Sequence, residues 1–228
     1  MPIDSPLIPS WPVSQPRYNQ LLTIIVLRLL IIPFAQGGIG EIVASFLFFH
    51  ITFLIVQSYR LRRSHFLFFV AIASLGFLLD TLLTLGWVPE TTLAILTVQI
   101  IYGLFFGSAA LFILQSLLRT ARVTMDTVRG GICVYLLLGY FWALLYGIVY
   151  TLDAGAFSSA LITETSYFNM VYFSFVTLTT LGFGDIVPVN EIASVLTVLE
   201  ALMGQIYPAV FIALLVSGYF THRQIPEK

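Results

Sequence analysis

The sequence predicts an all-α membrane protein of six transmembrane helices, with a shorter re-entrant helix and a glycine-bearing turn between the fifth and the sixth. Three observations lead there. Hydrophobic residues make up 59% of the 228-residue chain and charged ones only 9%, with a mean hydropathy of +0.98, which lies outside the range of soluble domains. Several apolar stretches exceed the roughly 18 residues that signal a membrane-crossing helix, and the longest without a charge runs from Thr91 to Leu118. The third observation is a polar insert, Thr177-Leu178-Thr179-Thr180-Leu181-Gly182-Phe183-Gly184-Asp185, lying between two hydrophobic runs near the C-terminus. Two glycines flanking one aromatic suit neither a helix nor an ordinary strand, because Gly is the residue that tolerates positive φ.

Taken in order, the chain starts with Pro2, Pro6, Pro9, Pro12 and Pro16 and has no basic region followed by a short apolar core. A disordered or extended tail over 1–17 is expected rather than a cleaved leader. Segment one runs from about Tyr18 to Gln36, interrupted by Arg28 and bent or ended near Pro33. Gly37, Gly38 and Gly40 form a turn into segment two, about Glu41 to Ser58, which contains His50, expected to be a satisfied polar contact rather than a metal ligand. Arg60, Arg62, Arg63 and His65 close this pair.

Segment three spans about Phe66 to Trp87 with Asp80 inside it, and Val88-Pro89-Glu90 leads into segment four, about Thr91 to Leu118. Gly103 and Gly107, four apart in segment four, have the spacing that lets two membrane helices approach closely. A polar loop with Arg119, Arg122, Asp126 and Arg129 follows, then segment five, about Gly130 to Leu152, rich in Tyr and Trp. Segment six runs from about Ile192 to Phe220 and is followed by a short tail over 222–228. The lone Cys133 excludes an intrachain disulfide and is expected to be packing.

The basic residues fix an orientation. With the N-terminus in the cytoplasm, Arg17, Arg60, Arg62, Arg63, Arg119, Arg122, Arg129, Arg223 and Lys228 all fall on the cytoplasmic side, and the opposite side receives Glu41, Glu90, Asp153, Glu164, Asp185 and Glu191. Both termini are therefore expected in the cytoplasm, in a multi-pass protein of the cell membrane. The polar insert then lies near the outer face.

Between segments five and six, the loop Asp153 to Thr165 precedes a run from Ser166 to about Leu178 that is too short to cross a bilayer but long enough for three helical turns. Ser166 can cap its start. A short helix entering from outside aims its C-terminal end, with the partial negative charge of the helix dipole, into the membrane, where it favours a cation. The chain then returns outward as non-helical backbone, whose carbonyls cost several kcal/mol each unless they line a wet or ion-filled cavity.

These residues bring the chain to a known family. The string Thr179-Thr180-Leu181-Gly182-Phe183-Gly184-Asp185 resembles the selectivity filter of the tetrameric potassium channel superfamily, in which four such loops surround one axis and backbone oxygens replace the ion's hydration shell. The resemblance implies that K+ is bound by the carbonyls of Thr180, Leu181, Gly182 and Phe183 and by the Thr180 hydroxyl, and that Gly182 and Gly184 permit the angles that turn those carbonyls inward. Asp185 would stand at the outer mouth, and Tyr172, Phe173 and Thr179 would support the filter; Glu200, an intramembrane charge in the outer half of segment six, is close enough behind the filter to brace it, to bind its neighbour's backbone or to respond to pH. Leu181 stands where relatives commonly have Val or Ile, and Phe183 where Tyr is commoner. The Phe183 ring is expected to pack on Tyr172 or Phe173, without the hydrogen bond of a tyrosine hydroxyl; family members with Phe there still select potassium.

The resemblance reaches segment six, where Gly204, 20 residues after Gly184, lies near the family's gating hinge glycine and is followed by Pro208. Gly204 is open to two readings, a hinge or a packing contact. The implied organisation is an N-terminal tail at 1–17, a four-helix transmembrane domain at 18–128, a pore domain with re-entrant pore helix and selectivity filter at 129–221, and a tail at 222–228. Segment four lacks the repeated arginines of a conventional voltage sensor, for which a moving charge supplies about 2.3 kcal/mol per 100 mV. Arg28 and Asp80, both in the membrane, are expected to face each other as a structural pair or as part of a sensor.

The expected function is passive potassium conduction by a homotetramer in a lipid bilayer, with no cofactor, no nucleic-acid partner and no enzymatic activity. The alternatives are a non-selective tetrameric cation channel and a non-conducting membrane sensor or assembly protein with a vestigial pore. No Ser/His, paired-Asp or His-Glu-x-x-His constellation points to catalysis.

Overall fold

The computed structural model describes residues 17–34, 43, 46–47, 49–51, 63–119, 123–158 and 167–223. Helix α1 spans Arg17–Ile31 and tightens into a 3-10 turn over Ile32–Phe34. Pro33 lies in that turn, where its missing N–H and its effect on the preceding residue end the α-helical ladder. Val43, Phe46, Leu47, Phe49, His50 and Ile51 are helical. The glycine turn at 37–40, the rest of the second apolar segment, and Arg60 and Arg62 lie outside the described residues.

Helix α2 covers Arg63–Thr84. It ends before Trp87 because Gly86 takes φ +70°, while Gly86 N–H bonds the Leu83 carbonyl and Trp87 N–H the Leu82 carbonyl, a glycine stop of the usual left-handed kind. Helix α3, Thr92–Leu118, starts where the Thr91 hydroxyl accepts from the Ala94 N–H.

Helix α4 spans Met125–Leu152 and begins more than a turn before the expected Gly130. Thr124 and Thr127 form a reciprocal capping box there, so Asp126 and Arg129 belong to the helix and not to a polar loop. Asp126 also lies in the first turn, where its charge complements the dipole. Helix α5, Tyr167–Leu178, is a short apolar helix where the re-entrant one was expected, and Ser166, its expected cap, lies outside the described residues. Helix α6, Glu191–Arg223, runs unbroken through Pro208.

The all-α expectation needs one amendment. Strands β1, Phe157–Ser158, and β2, Val187–Pro188, pair antiparallel, with Phe157 opposite Pro188. This two-residue ladder ties the loop after α4 to the segment leaving the filter turn.

Helix α4 is the axis of packing. Its Cys133, Leu137 and Tyr140 are fully buried against Leu21 and Ile25 of α1 and Phe106 and Ile113 of α3. Gly103 and Gly107 face it, against Leu144 and Phe141 respectively. A second cluster, nearer the filter turn, joins Trp142 and Tyr146 to Phe157, Met170, Phe173 and Ile186. Among the described residues, three helical stretches are long and apolar enough to cross a membrane: Thr92–Leu118, Met125–Leu152 and Glu191–Gly218. Of their membrane-length windows, 56% of the one in α4 is buried but only 11% of the one in α6, leaving α6 an apolar face with no protein over it in one chain.

Candidate ion-conducting site

Three helices hold the glycine turn over 179–185. Helices α5 and α6 run side by side in the same direction, with Ser174 beside Glu200 and Leu178 beside Gly204, each pair one helical turn from the other. Helix α4 runs antiparallel to both. Its Tyr135 hydroxyl donates to the Leu178 carbonyl at 3.0 Å, the Gly139 carbonyl accepts from Ser174 Oγ at 2.7 Å, and Tyr146 Oη donates to Glu200 Oε2 at 2.5 Å. Further bonds join α4 and α6: Trp142 Nε1 donates to Met203 Sδ at 3.4 Å and Tyr207 Oη donates to the Gly131 carbonyl at 2.8 Å.

The turn itself departs from regular structure where the glycines require it. Gly182 and Gly184 have φ of +57° and +77°, and Thr180 has φ of +58°. Positive φ at every second residue is the pattern that stops carbonyls alternating between opposite sides, as they do in a strand. Among the described residues Thr180 is the one non-glycine at positive φ, a strained position for a β-branched residue.

The N–H groups of the turn point back to α5. Thr180 N–H donates to the Thr177 carbonyl at 2.8 Å, and the Leu181 and Gly182 N–H groups both donate to the Val176 carbonyl, at 2.9 and 3.3 Å. In a trans peptide the carbonyl points opposite to its N–H. The carbonyls of Thr180 and Leu181 are therefore turned the same way, away from α5, and the C-terminal carbonyls of α5 are satisfied by the turn that it supports. The Thr179 hydroxyl donates back to the Phe175 carbonyl at 2.6 Å.

Asp185 closes the turn. Its Oδ1 accepts from the Ile186 N–H at 3.1 Å and its Oδ2 from the Tyr172 hydroxyl at 2.5 Å. Beyond it, β2 is held by β1, and Asn190 caps α6 by accepting from the Ala193 N–H at 2.8 Å while its Nδ2 donates to Asp153 at 2.8 Å. Both ends of the non-helical stretch are thereby anchored.

Tyr172 supports the turn through its hydroxyl on Asp185 rather than through a ring stack with Phe183. Phe173 takes no part in contact with Phe183. Its ring lies against Tyr146 at 4.9 Å and Phe157 at 5.3 Å, in the buried cluster. Leu181 and Phe183 are 57% and 63% exposed in one chain. They border an open groove of about 390 Å³ that is otherwise walled by Tyr172, Phe175, Val176 and residues of α1 and α5.

Glu200 is fully buried and bonded to both neighbouring helices, its Oε1 standing 2.6 Å from Ser174 Oγ. Gly204 meets α5 directly, whereas Pro208 lies further along α6. Arg28 is far from the turn in sequence yet reaches the same module. Its guanidinium carbon lies 5.0 Å from the Tyr140 ring centre, 5.6 Å from Tyr167 at the start of α5, and 5.8 Å from Phe106. Asp80 accepts from the Tyr102 hydroxyl at 3.2 Å. His50 stacks beside Phe46, with ring centres 6.4 Å apart.

Sequence reasoning did not find Tyr135, Tyr146, Ser174 or Asn190. Ser174 carried a signal, being a small hydroxyl residue between Phe173 and Phe175 in an apolar run. Tyr135, Trp142 and Tyr146 of α4, which bond to α5 and α6, were visible as aromatic richness without a direction.

Residues 132–220 match the family model described as an ion channel. Neither the curated proteins nor the solved structures compared with the chain contain a match. The matched span lies within the 129–221 expected of a pore and takes in most of α4, all of α5, the glycine turn and α6 up to its last residues. That span holds a short helix, a turn of alternating φ and a following acidic residue between two membrane-length helices, and the match identifies residues 132–220 as an ion-channel domain, of a family that conducts rather than catalyses.

Proposed function

We propose that the protein is a potassium-selective channel in which four copies of the chain surround one pore, each supplying a quarter of the ion site. The observation that carries this reading is the pair of N–H groups, Leu181 and Gly182, on the single Val176 carbonyl, because it turns two successive carbonyls to one side as ion ligands must be. Thr180, Leu181, Gly182 and Phe183 contribute carbonyls, Thr180 adds its hydroxyl, and Gly184 and Asp185 form the mouth. The exposed filter turn and the uncovered apolar face of α6 support assembly, since both would be covered by sister subunits around an axis. Six membrane helices per chain, with both termini in the cytoplasm and the mouth outside, follow from the one-sided distribution of arginines. No cofactor takes part: the ion moves down its electrochemical gradient.

Purified protein in liposomes tests the reading directly. Flux of K+ should far exceed flux of Na+ under matched gradients, and a permeability ratio near one would sink selectivity in favour of a general cation pore. Tetramers that pass neither ion would favour a sensor or assembly role.

A further inference from the structure

Behind the filter turn, one cluster has more short polar contacts than its serine can supply with hydrogens. Ser174 Oγ stands 2.7 Å from the Gly139 carbonyl oxygen and 2.6 Å from Glu200 Oε1. A hydroxyl has one hydrogen to give, and a carbonyl has none. The contact with Gly139 therefore uses the serine's hydrogen. The contact with Glu200 then needs a hydrogen from the carboxyl group itself, because a hydrogen shared between two acceptors lengthens both bonds and neither is long. On the other oxygen, Tyr146 Oη donates to Oε2 at 2.5 Å.

We infer that Glu200 rests as a neutral carboxylic acid that donates to Ser174, and that its proton makes it a positioning residue for conduction by tying the pore helix to α4 through Ser174 and Gly139. The second half rests on the channel reading given above; the first does not. Burial fits the neutral form. Glu200 is 0% exposed, and a carboxylate in such a place without a cation is costly. The groups that face it are Tyr146 in contact and Tyr135 at longer range from α4, and Ser174 from α5. None of these carries a charge at neutral pH.

Removing the proton rearranges the cluster in a defined way. An ionised Glu200 accepts from Tyr146 and from Ser174, so the serine hydroxyl turns away from Gly139 and the bridge from α5 to α4 is broken. The turn that begins at Leu178, one helical turn beyond Ser174, then loses part of its support.

The test uses the full-length protein in liposomes, comparing wild type with Glu200→Gln, Glu200→Ala and Ser174→Ala. Infrared spectra at neutral pH should contain the carbonyl stretch of a protonated carboxylic acid that Glu200→Gln removes; identical spectra in that region overturn the neutral acid. Where the Gln variant does not assemble, Ser174→Ala should shift the same band, and an unmoved band overturns the donation to Ser174. Potassium flux should fall on the order of fivefold as pH is raised, the effect of losing one buried hydrogen bond. Gln keeps a donor for Ser174 and an acceptor for Tyr146, so it should restore flux lost in Glu200→Ala and remove the pH response. A wild-type profile that is flat, or a Gln variant that follows the wild-type profile, overturns the positioning role. A band lost in the Gln variant with no flux from any chain upholds the protonated acid and overturns the channel reading.

Discussion

Gly204 of α6 lies directly against the carbonyl of Leu178, the last residue of the short helix: a Cβ at position 204 would sit 1.9 Å from that oxygen. The same oxygen accepts from the Tyr135 hydroxyl at 3.0 Å. Backbone is on both sides of the contact, so neither partner can turn away as a flexible side chain would. The absence of a side chain at position 204 is therefore accounted for by packing, and α6 continues as helix through Pro208 without a break.

Gly204→Ala should consequently push α6 off the end of the pore helix. Overpacking of this kind costs about 1–3 kcal/mol, and here it falls where the filter begins. Loss of flux and a lowered melting temperature are expected together. Gly103→Ala is the control, since its Cβ would meet nothing closer than Leu144 Cβ at 3.9 Å. Equal behaviour of the two variants would refute the close approach.

The Tyr172–Asp185 bond leads to a prediction about the mouth. Tyr172→Phe removes the hydroxyl that Asp185 Oδ2 accepts at 2.5 Å and leaves the ring in place. Asp185 keeps only the N–H of its neighbour Ile186, so the exit of the turn loses its tie to the helix. Flux should decay several-fold faster under sustained K+ gradients, with little change in melting temperature. Unchanged decay would show that β1 and β2 alone hold the exit.

What the sequence made legible follows physical lines. Thr91 to Leu118 was readable to within a residue because an uninterrupted apolar run is bounded by a capping hydroxyl at one end and Arg119 at the other. The glycine turn after α5 was readable because Gly182 and Gly184 sit where only glycine is at ease. The start of α4 was misplaced because Asp126 and Arg129 look like loop residues, while the Thr124–Thr127 box that starts the helix is a short-range signal easily passed over. The partners of Glu200 and Asp185 were not readable. Ser174 and Tyr146 are 26 and 54 residues from Glu200, and only the rotation of three packed helices brings them together. For the same reason Phe173 looked like a neighbour of Phe183 when it faces the opposite side, against Tyr146 and Phe157.

Arg28 tests how firmly α1 is joined to the pore module. It is buried, and its guanidinium faces Tyr140, Tyr167 and Phe106 at 5.0 to 5.8 Å. Desolvated cation–π contacts are worth about 2 kcal/mol, and the planar guanidinium is suited to several rings where an ammonium is not. Arg28→Lys should therefore lower stability by roughly 1–2 kcal/mol although the charge is kept. Thermal unfolding in detergent measures this, and a Lys variant as stable as wild type would show that charge alone matters.

Thr180 sets strain against function at the start of the proposed filter. Holding a non-glycine residue in the left-handed region costs about 1–2 kcal/mol, and Thr180 is held there at φ +58°. Glycine removes that strain, so Thr180→Gly should leave assembly intact or strengthen it. It also removes the hydroxyl that the channel reading places on the ion, so K+ flux and the preference for K+ over Na+ should both fall. Thr180→Ser keeps the hydroxyl while removing the β-branch, and should conduct with a preference close to wild type. The pair separates the two contributions of one side chain: stability should follow the backbone, and selectivity the oxygen. A Gly variant that retains full selectivity would show that the carbonyls of Thr180 and Leu181, turned away from α5 by the bonds of the next two N–H groups to Val176, are sufficient without it.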